Sequence, residues 1–274
     1  MLVATNLIEL QDQIRSRYDE LSKRLQEVAG YIIENPNSVA FDTVAIIAEK
    51  ADVPPSTLIR FANAFGFTGF NDMKQIFRKN MVEETTNYSD RVRLFEELEG
   101  EAPSLERPAD ILQEFAHANT KALACLAAQT STEELEKAVN LLSDAENIYI
   151  IGMQKSFSAA SYLNYALLHL NRRASLIDGL GGMHREQMNV VGPKDVVLTI
   201  SFSPYSKDTI MLSELVAKAG ANHIVITDSQ ISPLAKFNDT LFVVKEAELA
   251  GFRSQAALHC LLQTLVVSLA FKQK

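Results

Sequence analysis

The chain has 274 residues, of which 47% are apolar and 22% charged, and 26 Lys plus Arg against 34 Asp plus Glu give a formal net charge of −8. At roughly 100 to 200 residues per domain, this length predicts two domains with a sizeable core. The acidic balance excludes a polycation that coats nucleic acid. Any DNA binding must therefore come from a local basic surface.

The chain contains two cysteines, Cys125 and Cys260, which argues against a disulfide framework or a structural zinc site. The first 20 residues reach acidic and amide side chains early, so they lack the apolar core of a signal peptide. No apolar stretch approaches the roughly 20 residues that a transmembrane helix needs. We therefore expect a soluble, cytoplasmic protein without a membrane partner.

Three short amphipathic helices are predicted between residues 21 and 66. The first ends near Asn35-Pro36, and the second follows a cap at Asp42 or Thr43 and breaks before Pro54. The third begins at Pro55 or Ser56, stops at Gly66, and has an apolar face made by Leu58, Phe61, Ala62 and Phe65. Two short helices joined by a turn of about four residues are typical of a helix-turn-helix.

The third helix carries side chains of the types that contact DNA. Its apolar face leaves Ser56, Thr57, Arg60 and Asn63 for the solvent side, and these types contact phosphates and base edges. Residues 54–80 carry a net charge of +3, from Arg60, Lys74, Arg78 and Lys79 against Asp72. The candidate DNA contacts are Ser56, Thr57, Arg60, Asn63 and Lys74. The alternative is the solvated face of a small helical bundle.

Residues 24–74 resemble the N-terminal domain of RpiR/MurR-type bacterial transcription regulators. Four pairs stand at the family spacing: Ser56-Thr57, Arg60-Phe61, Gly66-Phe67 and Gly69-Phe70. Pro54-Pro55 departs from the family pattern, although proline is tolerated in the first helical turn. The resemblance implies a double-stranded DNA operator as partner, and we expect a homodimer or homotetramer.

An acidic segment separates the two predicted domains. Residues 83–110 hold nine acidic residues against three arginines, together with two prolines and a glycine. We interpret residues 81–110 as an acidic linker, partly helical around residues 91–98, between domains at 1–80 and 111–274. A solvated surface helix is a compatible alternative.

The second domain has the alternating pattern of an α/β fold. Helical patterns at 111–128 and 133–142 precede five short apolar runs, at 147–151, 174–177, 195–200, 223–227 and 240–244. Helical segments separate these runs, which predicts a five-stranded, parallel, doubly wound sheet of the flavodoxin-like kind. The whole chain is thus an all-α domain followed by an α/β domain. Ligands of such sheets bind at the carboxyl ends of the strands.

Two loops that follow predicted strands carry polar side chains suited to a phosphate. The first contains Lys155 and Ser156, and the second contains Ser201, Ser203, Ser206 and Thr209. Each loop leads into a helix, whose N-terminus favours negative charge. Serine and threonine are also common there simply as helix caps.

The second domain is similar to the sugar isomerase (SIS) fold that accompanies the helix-turn-helix in RpiR-type regulators. That family carries a phosphosugar loop of the form S-x-S-G-x-T/S-x-E/D-T, and residues 201–209 match it except that Pro204 replaces the glycine. The proline removes one backbone N–H group, so a polyol, an inositol derivative or a sugar acid competes with a phosphosugar as ligand. Near the last helix, Glu248 is a candidate hydroxyl acceptor and Arg253 a candidate ligand or subunit contact. A structural ion pair between them is an alternative.

Three classes of function remain after these observations. The resemblance favours a transcription regulator that responds to a sugar-like effector and controls carbohydrate metabolism genes. The alternative is a phosphosugar aldose–ketose isomerase with an accessory helical domain, and a structural interaction protein is a minor third. The five histidines form no spaced pair, and only His184 follows a glycine turn. We therefore expect no catalytic residue, no metal ligand set and no cofactor.

Overall fold

The computed structural model describes residues 3–85, 87–100 and 107–272. The chain divides into two compact units, one of Met1–Arg107 with Ala250–Phe252 and the other of Pro108–Leu249 with Arg253–Lys274. The first is helical and the second contains a parallel sheet, so the predicted fold class is confirmed. The boundaries at residues 80 and 110 stay predictions, and residues 101–106 of the proposed linker lie outside the described residues.

The first unit contains seven α-helices among its described residues. They are α1 (Leu7–Ser16), α2 (Lys23–Glu34), α3 (Pro36–Phe41), α4 (Val44–Lys50), α5 (Pro55–Ala64), α6 (Phe70–Glu84) and α7 (Tyr88–Glu99). The sequence patterns did not predict α1 or the short α3, which begins immediately at Pro36 because proline is tolerated in a first helical turn. The acidic segment is helical through α7, over a longer stretch than residues 91–98.

Helices α4 and α5 form the predicted pair of short helices. The Thr43 hydroxyl caps α4 by accepting a hydrogen bond from the N–H of Ile46 at 3.3 Å. Helix α5 ends before Gly66, whose φ of +86° is a left-handed conformation that favours glycine. The four apolar side chains predicted on α5 are all fully buried, which fixes the face that the helix turns to solvent.

The second unit contains six α-helices and six strands among its described residues, and the boundary between the units falls within a seventh strand, Phe252–Arg253. The helices are α8 (Pro108–Gln129), α9 (Thr132–Asp144), α10 (Phe157–His169), α11 (His184–Met188), α12 (Lys207–Ala219) and α13 (Ala256–Lys272). The strands are β1 (Ile148–Gly152), β2 (Ala174–Leu176), β3 (Val196–Ile200), β4 (Asn222–Thr227), β5 (Thr240–Val243), β6 (Glu248–Leu249) and β7 (Phe252–Arg253). The pair β6–β7 was not predicted, because strands of two residues leave no periodicity to detect.

The main sheet has the order β2-β1-β3-β4-β5, and every neighbouring pair is parallel. One face packs on α9, α10 and α13, and the other packs on α11 and α12, which is the predicted doubly wound arrangement. The strand order reverses between β1 and β3, so the loops that follow these strands lead to helices on opposite faces. Ligands of such sheets bind in the crevice at this switch point.

His223 on β4 is a buried histidine held between two partners. Its Nε2 lies 2.8 Å from the Thr199 hydroxyl on β3, and its Nδ1 lies 2.9 Å from the carbonyl oxygen of Phe237. Burial lowers the pKa of His223 to about 4, against smaller raising effects of the Phe237 carbonyl and the Asp239 carboxylate. The imidazole is therefore neutral in the folded protein at pH 7.

We expect acid to destabilise the fold through His223. In the unfolded chain this side chain takes up a proton near pH 6.5, whereas the folded chain resists protonation until about pH 4. The free energy of unfolding therefore falls as pH drops between these values, by up to about 3 kcal/mol. Urea titrations between pH 7 and pH 4.5 should show a smaller loss for His223→Gln. An equal loss in both proteins would contradict this assignment.

Candidate functional site

The solvent face of α5 carries a narrow row of side chains. Ser56, Ile59, Arg60 and Asn63 are all exposed, and they lie one turn apart at i, i+3, i+4 and i+7. The helix begins at Pro55, and no capping side chain accepts hydrogen bonds from the backbone N–H groups of its first turn. We call this row the α5 face. Its N-terminal end has the residue types that contact phosphates and bases in a major groove.

The structure corrects the prediction that Thr57 is exposed, because this side chain is 1% exposed. At 3.6 residues per turn, Thr57 lies roughly 100° from Ser56, on the side of the buried Phe61. Its hydroxyl lies 3.4 Å from Nη2 of Arg60, which donates a hydrogen bond to it. Thr57 is therefore a buried contact of Arg60 and not part of the exposed row.

Lys74 on α6 does not belong to an exposed basic surface, which is a second correction. The residue is 4% exposed, and its ammonium group donates a hydrogen bond to the backbone carbonyl of Asp42, at the end of α3. Burial lowers the pKa of Lys74, and the nearby Arg78 lowers it further. Lys74 thus holds the segment that leads into α4.

The basic surface predicted for residues 54–80 is smaller than the charge count suggested. Arg78 is half-buried and donates hydrogen bonds to the carbonyl oxygens of Ala40 and Leu98, at 3.2 and 3.0 Å. Lys79 is exposed, and its ammonium group lies 3.9 Å from a carboxylate oxygen of Glu83. Arg60 is thus the cation that the structure leaves exposed on α5 itself.

An arginine outside the predicted motif holds the other end of α5. Nη1 of Arg17 donates a 2.7 Å hydrogen bond to the carbonyl oxygen of Ala64, and its guanidinium lies 4.9 Å from the centre of the Phe65 ring. A cation at a helix C-terminus interacts favourably with the helix dipole. No local sequence signal could have identified this role of Arg17, because Ala64 and Phe65 lie 47 and 48 positions away.

The loop after β1 approaches α10 closely. A Cβ atom at Gly152 would lie 2.6 Å from that of Ala160, so the strand and the helix require glycine here. Ser156 is 8% exposed at the start of α10, and its hydroxyl makes no capping hydrogen bond there. Lys155 is exposed, and its carbonyl oxygen accepts a 2.8 Å hydrogen bond from Nε2 of Gln255. Lys155 and Ser156 belong to a short 3-10 helix, Gln154–Ser156, which leads into α10 without a side-chain cap.

The loop after β3 carries the remaining predicted hydroxyl groups. Ser201 and Ser203 are buried, and Ser206 begins α12 without a side-chain capping bond. The Ser206 hydroxyl lies 3.8 Å from the sulfur of Met153, so the loops after β1 and β3 meet. Thr209, in the first turn of α12, is fully buried, and its hydroxyl has no hydrogen-bond partner among the described residues. We call these two loops, with the first turns of α10 and α12, the β1–β3 crevice.

Asp228, directly after β4, holds the loop after β3 through two hydrogen bonds. One carboxylate oxygen accepts a 2.6 Å hydrogen bond from the Tyr205 hydroxyl, and the other accepts one from the Ser203 N–H at 3.2 Å. The carboxylate thus accepts the hydrogen bond that the Ser203 N–H could otherwise donate to a ligand. The next residue, Pro204, has no backbone N–H group to donate. Asp228 lies within the domain that resembles the SIS fold, but that resemblance did not predict these two hydrogen bonds.

The two charged candidates near the last helix lie on the hairpin of β6 and β7. Glu248 is half-buried on β6, and the Arg253 guanidinium on β7 lies 5.7 Å from the centre of the Phe202 ring in the β3 loop. Arg253 therefore stands beside the crevice. The neighbouring Glu246 instead caps α13, accepting hydrogen bonds from the N–H groups of Leu258 and Ala257 at 2.7 and 3.2 Å. Burial raises the pKa of Glu246, and these two hydrogen bonds oppose the rise.

Other kinds of site find little support in the described part of the chain. It contains no group of three or more His, Cys, Asp or Glu side chains placed to hold a metal ion. None of the described helices combines the length and the apolar character needed to cross a membrane. His184 begins α11 and packs its ring against the backbone of Gly179.

Comparison with known families identifies both units. Residues 8–84 match the model of the helix-turn-helix domain of the rpiR family, and residues 141–272 match the model of the SIS domain. An HTH-type transcriptional regulator of Caldanaerobacter subterraneus is 28% identical over 94% of this chain and 87% of its own length. YfhH of Escherichia coli, also an HTH-type transcriptional regulator, is 21% identical over 94% of this chain and 89% of its own.

Solved structures share the same fold. The NanR protein of Vibrio vulnificus, complexed with ManNAc-6P, covers 96% of this chain and 92% of its own, with a TM-score of 0.57 and 24% identity. The sugar isomerase domain of an RpiR transcription factor from Sphaerobacter thermophilus covers 59% of this chain and 90% of its own, with a TM-score of 0.56 and 24% identity.

Proposed function

Because the chain belongs to the rpiR family of helix-turn-helix transcriptional regulators with a SIS domain, we propose that a sugar-like effector in the β1–β3 crevice controls its binding to an operator. The α5 face binds the major groove of the operator, in the cytoplasm. Arg60 and Asn63 contact base edges, Ser56 contacts the backbone, and Thr57 orients Arg60. The regulated genes serve carbohydrate metabolism.

The meeting of the two loops at the switch point carries the effector proposal. Buried hydroxyl groups of Ser156, Ser201 and Ser203 gather where α10 and α12 begin without side-chain caps. Uncapped helix N-termini attract anions, and hydroxyl groups hydrogen-bond to phosphate and sugar oxygens. The unpartnered Thr209 hydroxyl in the first turn of α12 adds a further polar group to the region.

The effector we propose is an anionic sugar, with a phosphorylated sugar as first candidate. Lys155 and Arg253 supply positive charge around the crevice, and NanR, which shares the fold, was solved with ManNAc-6P. Asp228 and Pro204 reduce the number of backbone N–H groups that the β3 loop can offer. Glu248 accepts a hydroxyl group of the sugar. A polyol or a sugar acid therefore belongs in the same test.

Regulation follows from a population shift between two arrangements of an oligomer. Helix-turn-helix proteins read two half-sites about one DNA turn apart, which requires at least a dimer. Exposed apolar side chains on α10 and α13 support self-association as a homodimer or homotetramer; they are Tyr165, Leu168, Val267 and Phe271. An effector that binds one arrangement more tightly than the other changes the spacing of the paired α5 helices.

A thermal-shift panel tests the effector proposal directly. The panel contains ManNAc-6P, unphosphorylated ManNAc, inorganic phosphate, myo-inositol and a sugar acid, each added to the full chain. A specific ligand at 100 times its Kd stabilises the folded state by about 2.7 kcal/mol, which raises Tm measurably. We expect a phosphorylated sugar to raise Tm more than its unphosphorylated form. A panel in which no compound raises Tm contradicts the proposal.

A further inference from the structure

The α5 face contains one apolar side chain, Ile59, among its polar members. Ile59 is 47% exposed, and it lies three residues after Ser56, next to Arg60 and four residues before Asn63. The buried positions of α5 are Thr57, Leu58, Phe61 and Ala62. Ile59 thus belongs to the row that faces away from the core, and the first unit leaves nearly half of its surface exposed.

An isoleucine at this position has no advantage for the helix. β-branched side chains lose rotamer freedom in helices, so a solvent-facing helical position favours Ala, Lys, Glu or Gln instead. Scattered exposed apolar residues are common and need no explanation by themselves. What distinguishes Ile59 is its place among Ser56, Arg60 and Asn63, in the half of α5 that would approach the bases.

The major groove offers one apolar group, the C5-methyl group of thymine. We propose that Ile59 determines specificity by packing against thymine methyl groups, beside the bases that Arg60 and Asn63 contact. This inference rests on the proposed binding of operator DNA by the α5 face. It adds that this face recognises thymine by an apolar contact rather than by a hydrogen bond. Guanine suits Arg60, adenine suits Asn63, and thymine suits Ile59.

The test begins with a duplex that the protein itself selects. Full-length protein enriches 30-bp duplexes from a random-sequence library, and the enriched duplex is remade with each thymine replaced singly by uracil, which lacks the methyl group. Burial of one methyl group corresponds to about a fourfold change in affinity. We expect at least one replacement in each half-site to weaken binding of the unaltered protein by about that factor.

The variant Ile59→Ala separates this contact from other effects of uracil. It should bind the thymine duplex more weakly than the unaltered protein and show no further loss with uracil at the same positions. Ile231→Ala is a matched control, because Ile231 is 46% exposed and lies in the other unit, after β4. This control should keep the full sensitivity to uracil. Thermal unfolding of each variant verifies that it is folded.

The outcomes distinguish this inference from the proposed function. If no sequence is enriched, operator binding itself fails. If a sequence is enriched but no uracil replacement weakens its binding, the role of Ile59 is wrong and operator binding stands. The same conclusion follows if Ile59→Ala remains as sensitive to uracil as the unaltered protein.

Discussion

Replacing Arg60 with alanine should abolish sequence-specific DNA binding while the first unit stays folded. Arg60 is exposed on α5, and its guanidinium donates a 3.4 Å hydrogen bond to the Thr57 hydroxyl, so its removal costs the core little. A good contact between arginine and guanine contributes about 1–3 kcal/mol, a loss of about 5- to 150-fold for each half-site. Fluorescence anisotropy with the enriched duplex, at constant salt, measures the loss.

The control for this prediction is Arg93→Ala. Arg93 is also an exposed arginine of the first unit, and it pairs with Asp90 on α7 at 2.9 Å. Loss of its charge should change affinity far less, because exposed ion pairs contribute little and α7 is not the proposed reading helix. Should Arg60→Ala bind the enriched duplex as tightly as Arg93→Ala does, the assignment of the α5 face is wrong.

Replacing Ser201 and Ser203 together with alanine should remove the response to the effector. Both side chains are buried in the β1–β3 crevice, and loss of their hydroxyl groups leaves the polar atoms of a bound sugar without partners. We expect the double variant to bind the stabilising compound of the thermal-shift panel about 5- to 150-fold more weakly, since each of the two lost hydrogen bonds costs roughly 0.5–1.5 kcal/mol. Calorimetry measures this affinity.

The matched control for the double variant is Ser213→Ala. Ser213 is a fully buried serine of α12, and its hydroxyl bonds to the backbone carbonyl of Thr209 inside the helix. This change should leave effector affinity intact. Binding of the enriched duplex without effector should be the same in all three proteins, because the α5 face belongs to the other unit. An unchanged effector affinity in the double variant would remove the β3 loop from the proposed site.

The conformation of the same loop depends on Asp228, which lies outside the loop. Its carboxylate holds Tyr205 and the Ser203 N–H, so it acts by positioning the loop. The sequence gives no direct sign of this role, because the carboxylate comes from a different strand. The resemblance to the SIS fold indicated the loop, whereas the structure indicates what keeps the loop in place.

The elements and their faces could be predicted from sequence where a periodic pattern extends over several turns or a whole strand. The burial of Leu58 and Phe61 on α5 and the five strands of the main sheet follow from such patterns. The short α3 and the β6–β7 hairpin did not follow, since six residues span fewer than two helical turns and a strand of two residues shows no alternation. The exposure of Thr57 was predicted incorrectly because it lies at the edge between the buried and exposed sides of α5.

The sequence by itself determined the two-part organisation, the short helices α4 and α5, and the position of the polar loops, because spacing and turn residues are local properties of the chain. Only the tertiary structure decided which charges remain at the surface. The sequence around Lys74 predicted a DNA contact. In the structure its ammonium group is buried and donates a hydrogen bond to the carbonyl oxygen of Asp42, which lies 32 residues away. The net charge of −8 likewise says nothing about where Arg60 points. Burial depends on neighbours that folding brings together, and those neighbours are distant in sequence.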